Sequence, residues 1–228
     1  MKIITIVRTR NEHRNIERFC RSYSWADQVF VADGGSDDDT IFLAQQFPNV
    51  IVKEYLERVY GDKEIWRNPE GRHINFLIDW ATSEGADWII YDDCDSFPTH
   101  DLHLFGRDVF SLADTDGRLG VDAYHIYLYG ENQWFTSSLE TTKRFVWAWK
   151  PGNLRMDDKT EWGIIRTTFP EFCLELSPPN CLLHDFCPTP EITQQKMDFY
   201  NNCGKMDKIP SITGFFGELS TREQWMYE

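Results

Sequence analysis

The chain has 228 residues, 41% of them hydrophobic, and a formal net charge of -14. That length buries one substantial core, and the excess of carboxylates argues against nucleic acid or an anionic membrane as the main partner. No apolar run approaches the ~20 residues that cross a bilayer, and the opening residues read as a strand rather than a signal peptide, so a soluble, cytoplasmic protein is expected.

Lys2 to Val7 predicts a first strand, followed by a polar turn from Arg8 to His13. Ile16, Phe19, Cys20 and Tyr23 recur at helical spacing and predict a helix over Asn15 to Ser24. Gln28 to Ala32 is a second strand, with Asp33-Gly34-Gly35-Ser36-Asp37 as its loop and a helix from Asp39 to Phe47 behind it. Val50 to Tyr55 is a third strand, and Glu57 to Gly71 an irregular, charged connection. Arg72 to Glu84 is helical, with Ile74, Leu77, Ile78 and Ala81 on one face. The order is strand and helix in alternation, which predicts a parallel, doubly wound α/β sheet.

The next strand is the most informative stretch. Trp88 to Tyr91 is apolar or aromatic and runs directly into Asp92-Asp93-Cys94-Asp95. A short buried strand that stops at acid marks the edge of a parallel sheet, where ligands bind. Asp93 and Asp95 alternate around Cys94 and project to one side of an extended backbone. Two like charges that close repel unless a cation stands between them, and a hard divalent ion suits carboxylates. A solvated acidic turn is the plainer alternative.

Beyond Pro98 the pattern changes. Leu102 to Leu112 predicts a helix; Ala123 to Leu128, Lys143 to Trp149 and Trp162 to Thr167 predict strands rich in aromatic residues. Asn180 to Phe186 is a short apolar run ending at His184-Asp185, and Pro190 to Asn202 a helix with Pro at its start. Ile209 to Glu228 has no clear pattern. The six cysteines form no C-x-x-C pair, so a zinc ribbon or a redox pair is not expected and reduced thiols are.

VRTRNEHRNI, VADGGSDDDT and DWIIYDDCD, in that order, resemble the opening motifs of the family 2 glycosyltransferases, over about the first hundred residues. The resemblance implies a GT-A fold: a Rossmann-like, mostly parallel sheet with helices on both faces and a smaller antiparallel acceptor-side part. It implies one domain over 1–228, with residues 1–98 binding a nucleotide sugar and 99–228 the acceptor. Thr9, Asn11 and Glu12 match the turn that lines the base, and Arg10 stands where an aromatic is common, a place where a guanidinium also stacks. Asp33 matches the acid that bonds the base or ribose. Arg72 and Asn75 resemble an Arg-Asn element that contacts the diphosphate or caps the helix. Asp93 and Asp95 are then the pair that holds Mn²⁺ or Mg²⁺ against the donor phosphates, with His184 as a third ligand.

The implied reaction moves a sugar from a UDP- or GDP-sugar to a hydroxyl of a glycan or another acceptor, with inversion. Inversion needs a carboxylate base; Asp157, Asp158 and Glu161 lie about where the family supplies it, with Asp158 and Glu161 ranked first. Two other readings stay open. Asp93-Cys94-Asp95-Ser96-Phe97 approaches the Asp-x-Asp-x-Thr/Val signature of haloacid-dehalogenase phosphatases, although that motif ends the first strand of its domain. A catalytically inactive nucleotide-sugar or glycan-binding module would keep the same motifs.

Overall fold

The alternation read from the sequence is the architecture found. A computed structural model describes residues 1–56, 70–136, 144–157, 166–202 and 218–221. In chain order the elements are β1 (Ile3–Thr9), α1 (Ile16–Ser22), β2 (Gln28–Asp33), α2 (Thr40–Ala44), β3 (Val50–Glu54), α3 (Glu70–Ser83) and β4 (Trp88–Tyr91). Then follow β5 (Ser96–Pro98), α4 (His100–Thr115), β6 (Gly120–Tyr129), β7 (Gln133–Phe135), β8 (Arg144–Trp149) and β9 (Arg155–Met156). The last are β10 (Arg166–Thr168), β11 (Cys173–Glu175), β12 (Leu182–Cys187), α5 (Pro190–Asn202) and β13 (Leu219–Thr221).

The chain divides into two units that interleave along the sequence. Met1–Cys94, Phe105–Asp122 and Val146–Glu175 form the first; Asp95–Leu104, Ala123–Phe145 and Leu176–Glu228 form the second.

In the first unit β3, β2, β1 and β4 lie side by side and parallel, and β8 adds antiparallel to β4. Both faces of the inner strands β1, β2 and β4 are covered, which is why they are apolar over most of their length rather than alternating, whereas β3 is only partly buried and ends in Lys53 and Glu54. Ile4, Ile6, Phe30, Ala32, Ile89 and Tyr91 pack with Ile74, Leu77, Ile78 and Ala81 of α3 on one face. Phe19 and Tyr23 belong to the other face, where Phe110 of α4 touches Trp25, Trp88 and Trp147. Burying side chains of this size stabilises the fold by about 1.5–3 kcal/mol each. The pairing sets the edge: Thr9 stands beside Asp33, Asp33 beside Glu54, and Ile6 beside Tyr91.

In the second unit β6 pairs antiparallel with β7, β7 with β13, and β12 runs parallel to β6 and antiparallel to β5. Tyr124, Ile126, Leu128, Trp134, Cys181 and Leu183 make its own small core.

The differences from the expected elements have simple causes. α2 stops at Ala44 rather than Phe47, closing with turn bonds from Gln46 N–H to Leu43 O and Phe47 N–H to Ala44 O; the residue before Pro48 avoids helical geometry. β5, β7 and β11 hold three residues each, too few to show a period. Of the strand expected over Trp162 to Thr167, residues 162–165 lie outside the described residues, as do 57–69 and most of 209–228.

Candidate functional site

The turns after β1 and β2 are stitched into one piece. Asp33 is fully buried, and its carboxylate accepts from Thr9 Oγ1 (3.1 Å), Ser36 Oγ (2.5 Å), Gly35 N (2.9 Å) and Ser36 N (2.7 Å). Four donors fill the acceptor capacity of a carboxylate. Gly35 sits at φ +87°, a conformation that a side chain disfavours, and lets the loop fold back over Asp33. Asn11, at φ 57°, receives Asp37 N on its Oδ1 at 3.0 Å and gives its own N–H to Ser36 Oγ at 2.9 Å. Glu12 N–H donates to Thr40 Oγ1 (2.7 Å). His13 binds Asp38 through both its N–H (3.2 Å) and its ring Nδ1 (2.8 Å). Partial burial opposes ionisation of Asp38, but bonds from Thr40 and His13 outweigh it and bring its pKa down to about 2. Thr9, Asn11, Glu12 and Asp33 thus first build the turn. Arg10 is half-buried beside them.

A second cluster joins α3 to the same edge. His73 is fully buried, donates from Nε2 to Ala32 O at 3.0 Å and stacks on Tyr55 at 4.5 Å. Burial, and then the charge of Arg8, hold its pKa down to about 4 against the pull of the Ala32 carbonyl and Asp33, so the ring is neutral. Asn75 spends its amide on the backbone of Met156, giving Nδ2–H to O (2.9 Å) and accepting N–H on Oδ1 (3.0 Å). It clips β9 to the helix. Arg72 lies on the exposed side of α3.

The acidic turn separates its carboxylates by environment. Asp92 is buried; it accepts the Tyr23 hydroxyl at 2.6 Å, Tyr23 accepts Trp147 Nε1 at 3.2 Å, and Asp92 Oδ1 receives the Asp93 N–H at 3.0 Å. Burial, and then the charge of Asp92, push the Tyr23 hydroxyl pKa well up, so it stays a donor. Asp93 is instead turned outward. It accepts from the Tyr91 hydroxyl at 2.9 Å, with Arg8 Nη2 at 3.9 Å.

In the second unit Asp95 meets His184, Nε2 to Oδ1, at 3.1 Å. Strand pairing sets this contact: β12 runs against β5 with His184 opposite Ser96, and Asp185 N–H bonds Asp95 O at 2.8 Å. Tyr127 packs 5.1 Å from the His184 ring. Carboxylate oxygens with an imidazole are a donor set that suits Mn²⁺, and Asp95 with His184 supplies that chemistry at one point. Among the described residues no three such side chains form a metal cluster. Asp158 and Glu161 lie outside the described residues, whereas Asp157 is half-buried next to β9.

Sequence reasoning passed over Arg8, Tyr91, Tyr23 and His73. The signal for Arg8 was a charged residue near the end of an apolar strand; the others look like core in any one-dimensional reading.

No protein-family model matches the sequence, and no curated protein matches it significantly. Solved structures do match. TarS of S. aureus is 13% identical over 87% of this chain, with a TM-score of 0.52. The chain has a GT-A glycosyltransferase fold. It spans 39% of the TarS chain and 64% of TarS 1–349, which superposes at a TM-score of 0.50 with 13% identity over 87% of this chain. Glucosyl-3-phosphoglycerate synthase of Mycobacterium tuberculosis is 23% identical over 56% of this chain and 44% of its own, at a TM-score of 0.38. These neighbours are glycosyltransferases. In GT-A terms the Asp93-Cys94-Asp95 turn follows the fourth strand, not the first as in the phosphatase signature. Among the described residues no helix is long and apolar enough to cross a membrane.

Proposed function

We propose that this chain is a metal-dependent glycosyltransferase that moves a sugar from a nucleoside-diphosphate donor, a UDP- or GDP-sugar, to a hydroxyl of a glycan or another acceptor, with inversion. The observation that carries this is the contact of Asp95 with His184 directly after the buried β4 strand of a GT-A sheet. Asp93, Asp95 and His184 are the residues that would hold Mn²⁺ or Mg²⁺, and the ion would supply positive charge to the leaving diphosphate.

The protein's own residues divide the remaining work. Asp33 and its donors shape the turn that receives the base and ribose, with Thr9, Arg10, Asn11 and Glu12 around it. Arg72 and Asn75 belong to the helix behind the diphosphate, Asn75 by positioning β9. A carboxylate at Asp158 or Glu161 takes the proton of the acceptor hydroxyl.

A thermal-shift screen against UDP, GDP, CDP and dTDP, with and without Mn²⁺, tests this reading. A ligand that binds the folded state alone raises the midpoint, and a rise with one nucleotide that requires Mn²⁺ is expected. No rise with any of them removes the reading. A rise without sugar transfer or donor hydrolysis leaves the inactive binding module in its place.

A further inference from the structure

β1 is apolar or uncharged from Ile3 to Val7 and then carries a cation, Arg8, one residue before its end at Thr9. Parallel pairing of Ile6 with Tyr91 brings the ends of β1 and β4 side by side. There Arg8 Nε–H donates to Tyr91 Oη at 3.3 Å, the Tyr91 hydroxyl donates to Asp93 Oδ1 at 2.9 Å, and Arg8 Nη2 stands 3.9 Å from that same oxygen. The side chains are 16% and 31% exposed, so the pair is neither dry nor fully wet. The charge is felt on the other flank as well, since it helps to hold His73 neutral beside Ala32 and Asp33. β1 lies between β2 and β4 in the sheet. Arg8 therefore sits between the turn expected to take the base and the carboxylate expected to take the cation, where a diphosphate would run.

A guanidinium forks onto phosphate with two parallel hydrogen bonds. Its 3.9 Å approach to Asp93 is not such a bond; it is a long ion pair, of the kind that is weak and readily exchanged. A positive charge at that distance also competes with any divalent ion for the same carboxylate.

We propose that Arg8 is a diphosphate-binding residue that rests on Asp93 in the ligand-free chain, so that the diphosphate, by taking Arg8, releases Asp93 to the divalent cation. The proposal rests on the glycosyltransferase reading and goes beyond it, because it makes the two ligands cooperative: each raises the other's affinity by the same factor.

Pyrophosphate and Mn²⁺, each alone, test it on the whole chain. In EDTA, calorimetry is expected to show pyrophosphate binding to the wild type. Arg8→Gln weakens this by roughly tenfold or more, and Arg8→Lys, which keeps the charge without the fork, by several-fold. With no phosphate present, electron paramagnetic resonance is expected to show Arg8→Gln binding Mn²⁺ about tenfold more tightly than the wild type, since a repelling charge has gone. A purely structural arginine gives no such gain, with Mn²⁺ bound equally or more weakly in Arg8→Gln, and that result overturns the proposal. So does equal pyrophosphate affinity in wild type and variant. If Arg8→Gln fails to fold by circular dichroism, Arg8→Lys decides: undiminished pyrophosphate binding sinks the idea. A wild type that binds neither probe removes the glycosyltransferase reading with it. A wild type that binds both, with Arg8→Gln indistinguishable, removes this proposal alone.

Discussion

Asp33 and Asp93 both stand at the same edge of the first unit's sheet, one on each side of β1, and the fold treats them oppositely. Asp33 is fully buried and accepts four hydrogen bonds from its own loop and from Thr9. Asp93 keeps a side chain that is 31% exposed, one hydroxyl donor and a long ion pair to Arg8. A carboxylate surrounded by inward donors is part of the scaffold, whereas one with open lone pairs is able to take a ligand. The same residue type therefore does structural work on one flank and is left available on the other, and burial with donor count tells the two apart.

The largest expected effect breaks the scaffold side. Asp33→Ala leaves the Thr9 and Ser36 hydroxyls and the Gly35 and Ser36 N–H groups without their acceptor, at a cost of about 1–3 kcal/mol for each that stays buried and unsatisfied. With partial relaxation the net loss is about 4 kcal/mol, read as a lower urea midpoint in equilibrium denaturation. A loss under about 1 kcal/mol would mean that the turn does not depend on this acid.

His73 sharpens the same flank through pH. Its folded pKa is depressed to about 4 from an ordinary 6.5, so between these values the unfolded chain binds the extra proton and the folded chain does not. Stability is full above about pH 6.5 and falls as pH drops toward 4, by about 3 kcal/mol in all, with no further contribution from this group below pH 4. Denaturation curves of the wild type and His73→Gln, measured across that window, should differ in slope. Equal slopes would show that the imidazole is not held neutral.

Tyr23→Phe comes next, at about 1–3 kcal/mol, because Asp92 loses one donor and Trp147 Nε1 its acceptor inside the core. This contact also marks where one-dimensional reading stops. The strands and helices of the first unit were legible because their apolar runs and periods are local. So were the Asp33 loop and the Asp93–Asp95 pair, as motifs in order. Which of three acids turns inward was not written locally: Tyr23 stands 69 positions from Asp92, and Arg8 83 from Tyr91. The parallel pairing of β1 with β4 brings Arg8 to Tyr91, and the end of α1 brings Tyr23 to Asp92. The meeting of His184 with Asp95 depended likewise on β12 returning to β5, a three-residue strand with no period to betray it.

The smallest expected stability effect is the one that closes the comparison. Asp93→Asn keeps an acceptor for the Tyr91 hydroxyl and loses only a half-wet ion pair, so its stability should stay within about 0.5 kcal/mol of wild type. Under the proposed function it nonetheless loses a charged ligand to the cation, and Mn²⁺ binding without nucleotide should weaken by at least about tenfold, on the order of one charge–charge interaction at a partly exposed site. Asp95→Asn should behave alike, abolishing the Mn²⁺-dependent part of nucleotide binding while the chain stays folded. The two flanks would then separate in measurement as they do in structure: one acid whose loss unfolds and one whose loss only unbinds. A variant at Asp93 as unstable as Asp33→Ala would mean that both are scaffold, and that the acidic turn after β4 is a folding device with no ion to hold.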